Sequence, residues 1–149
     1  MPLLNIITNA PGDRVTTSDV LKALSTAVSK SVGKPEQWVM CSLTTDKPMI
    51  YGGSEEPCAF GYLMSIGSIG GDKNKKISAA ICEVLTSQLG IPASRVYIQV
   101  GDVDPRNMWL RFAGCIDSSV ARRLYELVEY LHFSDADAAD VGWNGGTFA

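Results

Sequence analysis

Val32-Gly33-Lys34-Pro35-Glu36-Gln37-Trp38-Val39 and Leu89-Gly90-Ile91-Pro92-Ala93-Ser94-Arg95-Val96 are two copies of one junction. In each, a glycine closes an apolar helical stripe, a proline two residues later forbids its continuation, and a valine lies in the strand that follows. Gly33, Pro35 and Val39 recur as Gly90, Pro92 and Val96, each displaced by 57 (90 − 33, 92 − 35, 96 − 39). Working back from each junction, Val20, Leu21, Leu24, Ala27 and Val28 recur at helical spacing, as do Ile77, Ala80, Ile81, Val84, Leu85 and Leu89. The offset carries Val20 to Ile77, Leu24 to Ile81 and Val28 to Leu85.

Working forward, Trp38 to Leu43 and Arg95 to Val100 read as strands, and the helices are preceded by the apolar runs Leu3 to Ile7 and Cys58 to Ile66. Thr17 or Ser18 caps the first helix, and the second is expected from Lys76 to Leu89, after the loop Gly67-Ser68-Ile69-Gly70-Gly71-Asp72. Lys47 to Ser54 is a short extended piece closed by Gly52-Gly53. The fold class is therefore α/β, a tandem βαβ repeat. Right-handed crossovers put both helices on one face of a four-stranded sheet. Leu3 to Ile7 is apolar at odd and even positions, so it calls for burial of both faces. A closed homo-oligomer would cover the second face with one repeated surface.

Composition narrows the function. The chain of 149 residues reads as a single domain with enough apolar content for a core. A net charge of −3 without a basic stripe argues against nucleic acid. No apolar run approaches the roughly 18 residues that span a bilayer, and there is no secretory leader pattern, so synthesis in the cytosol is expected. Cys41, Cys58, Cys82 and Cys115 are widely spaced, with His132 far from all of them, which is not a zinc pattern. Cys41 and Cys82 read as small core residues. Pro2, directly behind Met1, would carry a free secondary amine if Met1 is removed. A terminal α-amine titrates near 8 and falls further beside an ammonium or away from water, so it can serve as a base near neutrality.

Met1-Pro2, Val32-Gly33-Lys34-Pro35, Pro48-Met49 with Tyr51-Gly52-Gly53-Ser54, Glu56-Pro57-Cys58-Ala59, Ser65-Ile66-Gly67, Arg95-Val96-Tyr97-Ile98 and Val141-Gly142-Trp143-Asn144-Gly145-Gly146-Thr147-Phe148 occur in this order. Together they resemble the macrophage migration inhibitory factor family of the tautomerase superfamily. The resemblance implies a homotrimer with sites at subunit interfaces and a keto-enol tautomerase acting on small aromatic α-keto acids such as phenylpyruvate, with dopachrome-like compounds second. It implies Pro2 as catalytic base after loss of Met1, Lys34 and the Ile66 backbone in the same pocket, and Tyr97 supplied by a neighbouring subunit. Trp38, Trp143 and Phe148 match the aromatic wall. Gln99 stands where animal members carry asparagine, and Gly61 replaces the second cysteine of their C-x-x-C pair, which argues against thiol-disulfide chemistry. No cofactor or metal is implied. The alternative is a cytokine-like protein, exported without a signal peptide, whose partner is a cell-surface receptor. Dehalogenase or decarboxylase chemistry would need arginines at the pocket, where neither Arg14 nor Arg95 is expected.

Joining Asn107 to Val141 restores an uninterrupted family pattern, so residues 108 to 140 read as an insertion of 33 (140 − 107). Asp117 or Ser118 caps an amphipathic helix there, with Val120, Leu124, Leu127, Val128 and Leu131 on one face and Arg122 and Glu126 outside. Trp109 competes with Trp143 for the pocket wall.

Overall fold

The computed structural model describes residues 1–12, 17–104, 141–143 and 146–147, the last two segments by their backbone. Strand β1 (Leu3–Thr8) leads to helix α1 (Thr17–Val32), and β2 (Met40–Thr44) follows; β3 (Ala59–Ser65), α2 (Asp72–Leu89) and β4 (Val96–Asp102) repeat the unit. Short strands β5 (Val141–Trp143) and β6 (Gly146–Thr147) extend the sheet to the order β2-β1-β3-β4-β5-β6. Pairing is parallel within each unit and antiparallel between β1 and β3, giving the mixed sheet that two βαβ units make when joined through their first strands.

The repeat is visible down to single hydrogen bonds. Gly33 and Gly90 adopt φ of 74° and 67°, the left-handed turn that ends a helix without a Cβ penalty. Ser29 Oγ donates to the Lys34 carbonyl at 2.7 Å, and 57 residues later Thr86 Oγ1 donates to the Ile91 carbonyl at 2.8 Å. Behind each proline runs a single 3₁₀ turn, Glu36–Trp38 and Ala93–Arg95. Trp38 and Arg95, expected in strands, therefore belong to these turns, and β2 begins only at Met40. Helix α2 also begins earlier than Lys76, because the Lys73 and Asn74 N–H groups donate to the Gly70 and Gly71 carbonyls and Asn74 Oδ1 accepts from Gly70 N–H.

Val20, Leu24 and Val28 of α1 and Ile77, Ile81 and Leu85 of α2 pack with Leu4, Ile6, Leu63, Val96, Ile98 and Val100 of the sheet. The opposite sheet face carries Leu3, Asn5 and Ile7, aligned with Met64, Tyr62 and Phe60 of β3 and with Met40, Ser42 and Thr44 of β2. Across β4 the same rows continue into Gly101, Gln99 and Tyr97. Phe60 and Tyr97 are 40% exposed, so among the described residues their part of this face is left uncovered. The expected helix within 108–140 lies outside the described residues.

Candidate active site

The α1–β2 junction brings Lys34 to the first residues of β1. Met40 N–H donates to the Pro2 carbonyl at 3.0 Å, and Leu3 stands opposite Met64, so the chain start lies beside the end of β3. Lys34 Nζ reaches that end. It donates to Ser65 Oγ at 3.1 Å, to the Ile66 carbonyl, and to the Gly67 carbonyl at 3.3 Å. Ser65 Oγ, fully buried, donates in turn to Gly67 O at 2.9 Å. Gly67, with φ of 61°, turns its N–H toward Asp102 Oδ1 at 2.8 Å.

Electrostatics favours one protonation pattern. The α-amine, on Met1, is lowered from 8.0 to about 6, first by desolvation, then by the Lys34 charge, then by a hydrogen bond from Lys34. Burial also lowers Lys34, while its bond to the amine and the Asp102 carboxylate raise it and Lys73 lowers it. The one hydrogen bond acts oppositely on its partners, with Lys34 the cationic donor and the amine the neutral acceptor. A neutral amine beside an anchored ammonium can take a proton from carbon while the ammonium steadies the resulting oxyanion.

The other expected site residues divide by position along the sheet. Trp38 lies two residues before Met40, whose N–H meets Pro2, and is 45% exposed. Tyr97 stands opposite Phe60, four residues along β4 from Gly101, which aligns with Met64 near the chain start. At about 3.3 Å per residue that is roughly 13 Å from the Pro2 end. Gln99 lies midway, in the row of Tyr62. Trp143 pairs with Tyr97 in backbone register, while Phe148 and Trp109 lie outside the described residues. One chain thus joins Pro2, Lys34 and Ile66 and leaves Tyr97 and Trp143 at the far end.

Tyr97 packs on Tyr51 with ring centroids 5.3 Å apart, and its hydroxyl is raised chiefly by a hydrogen bond with Tyr51. Arg95 stacks over Tyr51 at 5.1 Å and donates to the carbonyls of Ser54, Glu56 and Pro57, so it is committed away from the Pro2 end. Cys58 and Cys82 are buried and Cys41 half-buried. A cysteine Cβ at 61 would meet Ile6 Cδ1 at 2.9 Å. Among the described residues there is no group of three or more metal-ligating side chains, and no helix long and apolar enough to cross a membrane.

Ser65 and Asp102 join this cluster through contacts between residues remote in sequence. Ser65 could have been noticed as the one polar side chain in the inward row Ala59, Gly61, Leu63, Ser65.

The sequence model of the family described as macrophage migration inhibitory factor (MIF) matches residues 1–116. The chain belongs to the MIF family. That match contains every residue of the Pro2–Lys34–Ile66 cluster together with Tyr97 and Gln99. Macrophage migration inhibitory factor of Xenopus laevis is 35% identical over 149 residues, covering 100% of both chains. The crystal structure of the MIF homologue from Prochlorococcus marinus superposes with a TM-score of 0.68 at 34% identity, covering 73% of this chain and 95% of that one. The MIF structure from Trichinella spiralis gives a TM-score of 0.69 at 33% identity, with 73% and 96% covered. The core of the fold is thus shared with MIF structures, and the unequal coverage makes both matched chains shorter than this one.

Proposed function

We propose that this chain is a keto-enol tautomerase for phenylpyruvate-like α-keto acids, with dopachrome-like compounds as a second class. The Lys34 ammonium, anchored on Ser65 Oγ and the Ile66 and Gly67 carbonyls beside the chain start and lowering the Met1 α-amine there, carries the reading. MIF family membership supports the same isomerase class.

With Met1 removed, the Pro2 nitrogen is the base. It takes a proton from the benzylic CH₂ next to the keto group, and the electron pair moves onto the carbonyl oxygen as the enolate. The protonated amine then returns that proton to oxygen, and the reverse sequence ketonises the enol. Lys34 holds the substrate carboxylate or the developing oxyanion, exchanging one of its carbonyl partners for the substrate, and the Ile66 N–H assists. The aromatic ring is held by Trp38 together with Tyr97, Trp143 and Phe148, and Gln99 offers a hydrogen bond. The roughly 13 Å between Tyr97 and the Pro2 end supports Tyr97 coming from a neighbouring subunit of a homotrimer. The sheet face that carries Ile7, Phe60, Tyr62 and Met64, on which Phe60 is 40% exposed, supports the same assembly.

Loss of the phenylpyruvate enol, followed by ultraviolet absorbance with protein freed of Met1, tests the reading. Turnover that falls well over tenfold on Lys34→Met at pH 7 is expected. No turnover from an intact trimer would refute it in favour of cytokine-like signalling through a cell-surface receptor. The names of the Xenopus relatives, macrophage migration inhibitory factor, favour that second reading. In it the protein is made in the cytoplasm and exported without a signal peptide.

A further inference from the structure

The Ile66–Gly67 peptide lies between two opposite charges. Its carbonyl end accepts from the Lys34 ammonium, and its N–H end donates to Asp102 Oδ1 at 2.8 Å. The peptide dipole therefore points its negative end at the cation and its positive end at the anion, and each charge strengthens the other's bond. Val103 N–H donates to Ser65 O at 3.0 Å, which ties the end of β4 to the residue before this peptide. The left-handed φ of Gly67 and the bond from Ser65 Oγ to Gly67 O fix the turn around it.

We propose that Asp102 is a positioning residue for Lys34, acting through the Ile66–Gly67 peptide. The carboxylate orients the peptide plane so that its carbonyl meets Nζ, and its charge keeps Lys34 cationic in a half-buried setting that disfavours charge. Among the described residues, three charged or titratable groups bear on Lys34: the α-amine from the start of β1, Asp102 from β4 and Lys73 from α2. Asp102 and Lys73 oppose one another, and the amine bond adds to the Asp102 side. A cationic Lys34 is also what keeps the amine unprotonated, so Asp102 serves the base at second hand. It is not a catalytic residue in the sense of touching substrate.

The consequence for turnover rests on the tautomerase reading, whereas the coupling of Asp102 to Lys34 does not. Asp102→Asn separates charge from geometry, since its amide oxygen still accepts the Gly67 N–H. In the full-length protein, the Lys34 ammonium is followed through its titration by lysine side-chain NMR, with the Lys34→Met spectrum identifying the signal. In Asp102→Asn, Lys34 should lose its proton at lower pH than in the parent, and Asp102→Glu should restore part of the difference. Lys73→Gln should move the titration the opposite way. In the pH profile of phenylpyruvate turnover, the basic limb should shift downward in Asp102→Asn while the acid limb, set by the amine, stays in place. An unmoved Lys34 titration in folded Asp102→Asn overturns the proposal, as does a uniform loss of rate with both limbs fixed. If the parent shows no turnover, the tautomerase reading fails and the NMR titration still decides the role of Asp102.

Discussion

Replacing Lys34 by methionine removes a charge while keeping a flexible apolar stem of similar length. The size of its effect can be bounded from the structure. The Met1 α-amine stands at about 6 instead of 8.0 for three reasons, of which burial is the largest and Lys34 supplies the other two, and the Pro2 amine that succeeds it as chain terminus is expected to be lowered for the same reasons. Without Lys34 the amine must rise, yet it stays below 8.0 because the burial remains. At pH 7 an amine at about 6 is free in roughly ten molecules of eleven, and one at 8.0 in roughly one of eleven. For a Pro2 amine lowered as far as that of Met1, the loss of free base at pH 7 is therefore at most about tenfold. Protonation disfavours the active form, so activity lost by this route returns as pH rises, and by pH 9 both proteins hold the base free.

A direct hold on the substrate oxyanion behaves differently, because removing one such donor costs on the order of 10²- to 10³-fold wherever Lys34 is cationic. The proposed mechanism uses both routes. Lys34→Met should therefore lose well over tenfold in kcat/KM for phenylpyruvate at pH 7, and most of the deficit should persist at pH 9. The acid limb should also move upward from its parental position. The measurement is a kcat/KM profile from pH 5 to 9.5 in protein freed of Met1, with the amine titrated independently by its rate of acylation. An acid limb left in place by the substitution would refute the claim that Lys34 helps hold the amine neutral. A full recovery at pH 9 would refute its contact with substrate.

Protein that retains Met1 should turn over at least about 100-fold more slowly, since a well-placed proton-transfer group is worth about 10²- to 10⁴-fold and Pro2 becomes an amide; equal activity would show that Pro2 is not the base. Ile7→Asp, at the centre of the open sheet face between Thr44 and Phe60, should convert a trimer into monomers by sedimentation, because an unpaired buried charge costs several kcal/mol. Gly33→Ala and Gly90→Ala should each lose about 1–2 kcal/mol in urea unfolding. A Cβ at either meets nothing within 4 Å, so the cost is the left-handed backbone alone. Deletion of residues 108 to 140, joining Asn107 to Val141, should leave a folded trimer active on phenylpyruvate; a dead deletion trimer beside an active Trp143→Ala protein would assign the wall to Trp109 instead.

Local punctuation made the fold legible. Gly33, Pro35, Gly90 and Pro92 act within their own neighbourhoods, so their reading survives without knowledge of the tertiary structure. The start of α2 was missed because Asp72-Lys73-Asn74-Lys75 contains no apolar residue, leaving periodicity nothing to register. Trp38 and Arg95 were read into strands because each adjoins a β-forming valine, although the proline before each starts a 3₁₀ turn. In the site, Pro2, Lys34 and Ile66 were named through family motifs, and the structure brings them together. Ser65 and Asp102 went unassigned because their bonds join residues remote in sequence. Such contacts depend on the β1–β3 and β3–β4 registers, which no local pattern announces.

The repeat duplicates the fold without duplicating the chemistry, and the reason lies in two positions. The offset of 57 carries Lys34 to Ile91, which is fully buried, and Pro2 to Ala59, which is 3% exposed. The backbone demands are equal: both helix ends need the left-handed glycine, and both following carbonyls accept from Ser29 or Thr86. Nothing in those demands restricts the side chain at 34 or 91, so one can reach outward as a cation while the other fills the core. The position equivalent to Ser65 is Thr8, whose Oγ1 donates to the Cys58 carbonyl and accepts the Ala10 N–H, closing that end on itself. The amine is the stricter constraint. A tandem repeat can copy a strand, a helix and a turn, but Ala59 follows Cys58 and its nitrogen is an amide with no basic lone pair. A site built on a chain terminus therefore occurs once per chain, three times in the proposed trimer, however closely the second half repeats the first.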